Sequence, residues 1–122
     1  MKWNKIGAFF ILLAISSIIA CTTEPDLTGV PEVKFSTDIQ RIMSANCSFD
    51  GCHDGKDESS LIGYDNVMSF GDVKAGNAHK STLYRVSTGR SFEKMPPSGY
   101  NEVTADDLKL MYVWIEQGAK NN

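Results

Sequence analysis

The sequence predicts a small all-α domain, and three observations carry that prediction. Apolar residues recur at the helical period in separate segments, most clearly Leu108, Met111, Tyr112 and Ile115 at i, i+3, i+4 and i+7. No segment alternates apolar and polar residues in the manner of a half-buried strand. The intervening stretches, such as DGKDESS, SFGDVKAGN and STGRSFEKMPPSGYNE, are rich in Gly, Ser, Asp and Pro. Short helices joined by this much loop, with few aliphatic residues, do not close a large core on their own. The deficit calls for an organising element: a cofactor, a disulfide or a metal.

The chain opens with MKWNK, which is positively charged, followed by IGAFFILLAISSIIA without a single charge. These are the n-region and h-region of a secretory signal, which is set apart from the fold. Residues 6–20 are short for a spanning helix, which needs roughly 20 apolar residues. The run ends in Ile18-Ile19-Ala20-Cys21, which resembles a bacterial lipobox. The resemblance implies a signal peptide over 1–20 and acylation of Cys21. Two or more acyl chains hold a protein stably at a membrane, at about 0.8 kcal/mol per buried CH₂. Thr22 rather than an aspartate follows, which in such lipoproteins implies transfer to the outer membrane. The expected location is the bacterial cell envelope, with the domain in the periplasm or at the cell surface. Loss of Lys2 and Lys5 with the signal takes the formal charge from −3 to −5. Residues 22–33 (TTEPDLTGVPEV) have two prolines, a glycine and no helical period, so 21–33 reads as a lipid-anchored linker. The domain proper spans 34–122.

Within the domain, Ile39, Ile42 and Met43 mark a first helix, with Ser36 or Thr37 as its cap and Asp38 at its positive end. Residues 64–70 supply a further turn. Residues 79–86 (HKSTLYRV) make a short helix with Leu83 and Val86 on one side. In the last helix Thr104 and Asp107 form a capping box with a shortened acid, and Gly118 is the stop. Met43, Met68 and Met111 are expected in the core. Tyr64, Tyr84 and Trp114 are aromatic enough to wall a ligand pocket and are expected in the core in any case. His79, at the polar start of its helix, is expected to be exposed or to cap it.

With Cys21 acylated, Cys47 and Cys52 remain, in NCSFDGCHDG at residues 46–55. In an oxidising compartment a disulfide accounts for the pair, but it leaves His53 without a role. Zinc would want further ligands at recognisable spacing, and the only other histidine is His79. Covalent haem uses all three residues, since C-x-x-C-H is the attachment site of a c-type haem. Each thiol adds to a vinyl group, and His53 offers its imidazole to the iron. The spacing here is C-x4-C-H. Around a helix, i and i+3 lie about 60° apart but i and i+5 about 140°, so these thiols reach one porphyrin edge only from a loop. Asp50-Gly51 suits such a turn. Met95, 42 residues beyond His53, precedes Pro96-Pro97. A stiff, non-helical loop that presents a thioether suits a second axial ligand, and Met/His ligation raises the reduction potential.

Taken in order, FSTDIQRIMSANCSFDGCH, KMPPSG and LKLMYVWIEQGA resemble small class I c-type cytochromes, particularly those of bacterial envelope lipoproteins. The likeness covers residues 35–119. Members of that group share an F-x-x-D-I-Q-x-I start, a C-x-n-C-H site, an M-P-P loop and a closing W-I-x-x-G-A helix. The resemblance implies a cytochrome c-like helical fold around one haem, with the N- and C-terminal helices packed together near it. It further implies Cys47 and Cys52 as attachment cysteines, His53 as proximal and Met95 as distal ligand. The extended cysteine spacing departs from the usual motif and corresponds to a looped variant.

Other function classes find little support. There is no basic patch or charge run for nucleic acid, and no nucleophile–base pair. The acids Asp50, Asp54, Asp57 and Glu58 lack the order of a calcium loop and suit a solvated surface. With both axial positions filled, substrate does not reach the iron, which favours one-electron transfer over catalysis. The charge of −5 would steer a redox partner with a basic docking face. Two other readings differ in kind: a haem-free, disulfide-stapled lipoprotein that binds or scaffolds, and a haem sensor or enzyme with a displaceable Met95 or with His79 as ligand.

Overall fold

The structure is a computed structural model that describes residues 24–56 and 58–122. Cys21, the signal peptide and Asp57 lie outside the described residues. Those described are helical, with no strand among them. A π-helical turn, Phe35–Ile39, runs into α1 (Gln40–Asn46), followed by α2 (Tyr64–Phe70), α3 (Thr82–Ser87) and α4 (Ala105–Glu116). A 3₁₀ turn, Ala78–Lys80, precedes α3.

The first segment starts differently from the expectation. Neither Ser36 nor Thr37 caps it; the flanking residue is Lys34, whose N–H donates to the Asp38 carboxylate at 2.9 Å. Two further N–H groups are met from the far end of the chain. Phe35 N–H donates to Asn122 Oδ1 (2.8 Å) and Ser36 N–H to the Asn122 carbonyl (3.0 Å). An amide from residue 122 thus does what a local hydroxyl was expected to do.

The last helix follows the sequence closely. Thr104 Oγ1 accepts from Asp107 N–H at 3.1 Å. Past Glu116 the chain closes in a Schellman motif, with Ala119 N–H on the Trp114 carbonyl (2.9 Å) and Gly118 N–H on that of Ile115 (3.0 Å). Gly118 adopts φ +101°, which its lack of a Cβ allows. The Asp107 carboxylate does not complete a capping box; it is nearly buried and pairs with Arg41 of α1 at 2.6 Å.

Residues 79–86 do not form one helix. The backbone breaks at Ser81 (ψ 124°), whose buried hydroxyl accepts from Lys74 N–H (2.8 Å) and donates to the Asn77 carbonyl (2.9 Å). That tertiary demand divides a helical sequence into a 3₁₀ turn and α3.

The core forms where the π turn packs on α4 and α4 packs on α3. Ile39, Ile42, Met43, Val67, Met111, Trp114 and Ile115 are completely buried. Phe35 joins Trp114 (ring centroids 5.8 Å) and Tyr64 (5.3 Å, edge-on). The Trp114 indole N–H donates to the Lys120 carbonyl at 3.0 Å, so its burial leaves no polar group unmet. Leu108 and Tyr112 are only partly buried; the buried face of α4 is turned toward Val113 and Trp114.

Candidate functional site: a cavity between the cysteine loop and the Met95 loop

Helix α1 ends at Asn46, and the two cysteines follow outside it. Cys47 and Ser48 both direct their N–H to the Met43 carbonyl at 2.9 Å, which terminates the helix. The chain then turns through Asp50 and Gly51 (φ +81°), with Cys52 N–H on the Phe49 carbonyl at 2.9 Å. His53 N–H reaches back to the Cys47 carbonyl at 3.1 Å. That bond closes the loop and sets the imidazole beside the first cysteine. The wider cysteine spacing is therefore accommodated by a non-helical loop with glycine in the left-handed region.

Met95 arrives from the opposite side. After α3 the chain reverses at Gly89 (φ +68°), and Met95 N–H donates to the Val86 carbonyl at 3.0 Å. The Met95–Pro96 peptide is cis. Lys94 pairs with Glu102 at 2.8 Å, joining the two ends of the loop.

Between these loops lies a cavity of about 400 Å³. Cys47, Cys52, His53 and Met95 all line it, together with Leu61, Phe70, Leu83 and Val86. Gly71, also in its wall, lets the end of α2 approach α3: a Cβ there would collide with the Val67 carbonyl and stand 3.3 Å from Leu83 Cβ. Leu83 N–H donates to the Gly71 carbonyl at 2.8 Å across that approach. Glu58 and Glu93 contribute carboxylates to the lining, and both residues are exposed. A shallower groove of about 620 Å³ beside Phe35, Gln40 and Gly63 holds no cysteine, histidine or methionine.

The side chains are chemically prepared in different ways. His53 Nδ1 stands 3.1 Å from the Ser59 carbonyl. A carbonyl only accepts, so Nδ1 carries the hydrogen, and in the neutral imidazole the lone pair then lies on Nε2. This is the arrangement by which an outer-sphere carbonyl orients a metal-binding imidazole. Cys47 is buried and Cys52 partly exposed, and both are free thiols. Burial, with a smaller contribution from Cys52, pushes the Cys47 thiol up to about 11. It is thus a neutral thiol near pH 7. Among the described residues no three His, Cys, Asp or Glu side chains stand together as a metal site; an iron held by one imidazole and one thioether would not need such a group.

Residues weighed for other roles fall elsewhere. His79 is exposed and packs its ring against Tyr84 and Tyr112, 5.8 Å from each, with Arg90 Nη1 at 3.3 Å from its Nδ1. It does not line the cavity, and neither do Tyr64, Tyr84 and Trp114. Nothing in the sequence pointed to Ser59, which acts through a carbonyl that every residue possesses. Leu61 and Phe70, which wall the cavity, lay in segments without helical period strong enough to assign them a face.

No protein-family model, curated protein or solved structure matches the chain.

Proposed function

We propose that the protein is a mono-haem, c-type electron carrier tethered to the bacterial envelope through acylated Cys21. One observation carries the reading: four residues, the last 42 positions beyond the third, line a single cavity with the chemistry of covalent haem attachment and axial ligation. Its volume falls within the roughly 300–1,000 Å³ usual for cofactor sites, and most of its wall is apolar.

In this reading the cysteines supply attachment. Cys47 and Cys52 would hold the haem covalently, each through one thioether. His53, its Nδ1 held at the Ser59 carbonyl, and Met95, on a loop pinned to Val86, would hold the iron through imidazole and thioether. When bound, haem supplies a one-electron couple between Fe(II) and Fe(III). Leu61 and Leu83, both buried, line the site with apolar surface, which with Met/His ligation favours a raised potential. Glu58 and Glu93 at the cavity, with the overall acidity, favour a redox partner with a basic docking face. The role is that of a carrier rather than an enzyme.

The test is covalent haem. Full-length protein produced with haem-maturation machinery is expected to stain for haem after denaturation and to gain the mass of one haem. A colourless band with an intact Cys47–Cys52 disulfide would replace the carrier by a stapled binding module. In the loaded protein, Met95→Ala should let the reduced form bind carbon monoxide and should lower the potential; an unchanged spectrum would remove Met95 from the site.

A further inference from the structure

Neither attachment nor ligation uses the residues by which C-x4-C exceeds C-x-x-C, yet one of them makes a contact of its own. Phe49 opens the turn through Asp50 and Gly51, and its ring lies 6.1 Å from that of Tyr100 at an interplanar angle of 32°. Such a separation lies within the favourable range for aromatic pairs, about 4.5–7 Å. Tyr100 belongs to the loop that presents Met95, with its N–H on the Pro97 carbonyl at 3.3 Å.

That loop is secured at both ends. Its start is tied to α3 by Met95 N–H on the Val86 carbonyl. Its end is tied to α1 by Asn46, a buried amide whose Nδ2 donates to the carbonyls of Asn101 and Glu102, 3.2 Å each. Just before that second anchor, Tyr100 is more than half exposed, and the ring it meets is Phe49.

We infer that Phe49 is a positioning residue: the enlarged cysteine loop carries it so that, packed at a tilt against Tyr100, it holds the Met95 loop in place and fixes where the thioether stands. The lengthened spacing then has a use beyond covalent attachment, since the same loop bears the two thiols and the brace for the opposite ligand. This inference rests on the haem reading for the meaning of Met95, while the brace itself belongs to the protein alone.

The experiment uses the full chain in both haem-free and haem-loaded form. In haem-free protein, Phe49→Ala should raise amide hydrogen exchange across residues 95–102 roughly two- to tenfold, the equilibrium equivalent of an aromatic pair. Far-UV circular dichroism should stay unchanged. Phe49→Trp and Tyr100→Phe, which keep two rings, should restore protection. In haem-loaded protein, Phe49→Ala should weaken the thioether-to-iron charge-transfer absorption and raise carbon monoxide affinity of the reduced form, with haem staining intact. Unchanged exchange over 95–102 in Phe49→Ala overturns the brace, whether or not haem is present. Altered exchange with no covalent haem upholds the brace and overturns the carrier. Altered exchange with intact ligation in the loaded protein overturns the positioning role.

Discussion

Where the π turn meets α4, side chains of the first and last helical segments bury one another, with a shallow groove on their outer side; where the cysteine loop faces the Met95 loop, a more enclosed cavity of about 400 Å³ stays open. The first region is held by Phe35, Ile39, Trp114 and Ile115, four residues that are at most 5% exposed. The second has comparable apolar walls, but they face one another across a space. The difference separates two ways of stabilising a small domain. One half is closed by its own side chains, and the other leaves the cavity that the haem proposal would fill.

Breaking the closed half should have the largest effect. Trp114→Ala removes a fully buried indole and its bond to Lys120, and should cost about 3–5 kcal/mol by urea denaturation. A loss under about 1 kcal/mol would mean that the terminal crossing is not the stable half.

The open half should reveal itself through pH. In haem-free protein the folded state keeps the Cys47 thiol protonated up to about 11, against an ordinary value of 9.0. A raised acid constant contributes stability that is complete below the unfolded value and is lost as pH climbs through the folded one. Stability should therefore fall between about pH 9 and 11, by the order of 2 kcal/mol. Cys47→Ala should flatten that slope, and so should covalent attachment, which consumes the thiol. A slope that persists in Cys47→Ala would assign it to another group.

The smallest change sharpens the closed half. Thr104→Ala deletes the hydroxyl that caps α4 and should cost about 1 kcal/mol, while Thr104→Asp should largely retain the cap. Equal loss in both variants would show that packing rather than capping fixes the start of α4.

Legibility in the sequence divided along local and distant causes. The last helix could be read because its signals are its own: Thr104, the apolar period and Gly118 lie within fifteen residues. The start of the first helix could not, since Asn122, 87 residues beyond Phe35, supplies its cap. The break at Ser81 was hidden for the same reason, because its hydroxyl answers to Lys74 and Asn77. At the candidate site, Cys47, Cys52, His53 and Met95 stood out through chemistry and order. Their walls, and the Phe49–Tyr100 contact, did not, as a cavity wall has no spacing of its own. The resemblance to class I c-type cytochromes named the four residues; the structure adds that one cavity receives them all.

The clasp at the end of α4 has a mechanical consequence. Besides Asn122, Gln117 grips the segment that leads into the domain, accepting from Val33 N–H at 2.9 Å and donating to the Pro31 carbonyl at 3.0 Å. Lys120 pairs with Glu32 at 2.7 Å beside them. A pull along residues 24–30 would load these bonds together before it reached the π turn. Were Cys21 acylated as proposed, tension from that anchor would be shared out by the C-terminal clasp before it reached the cysteine loop.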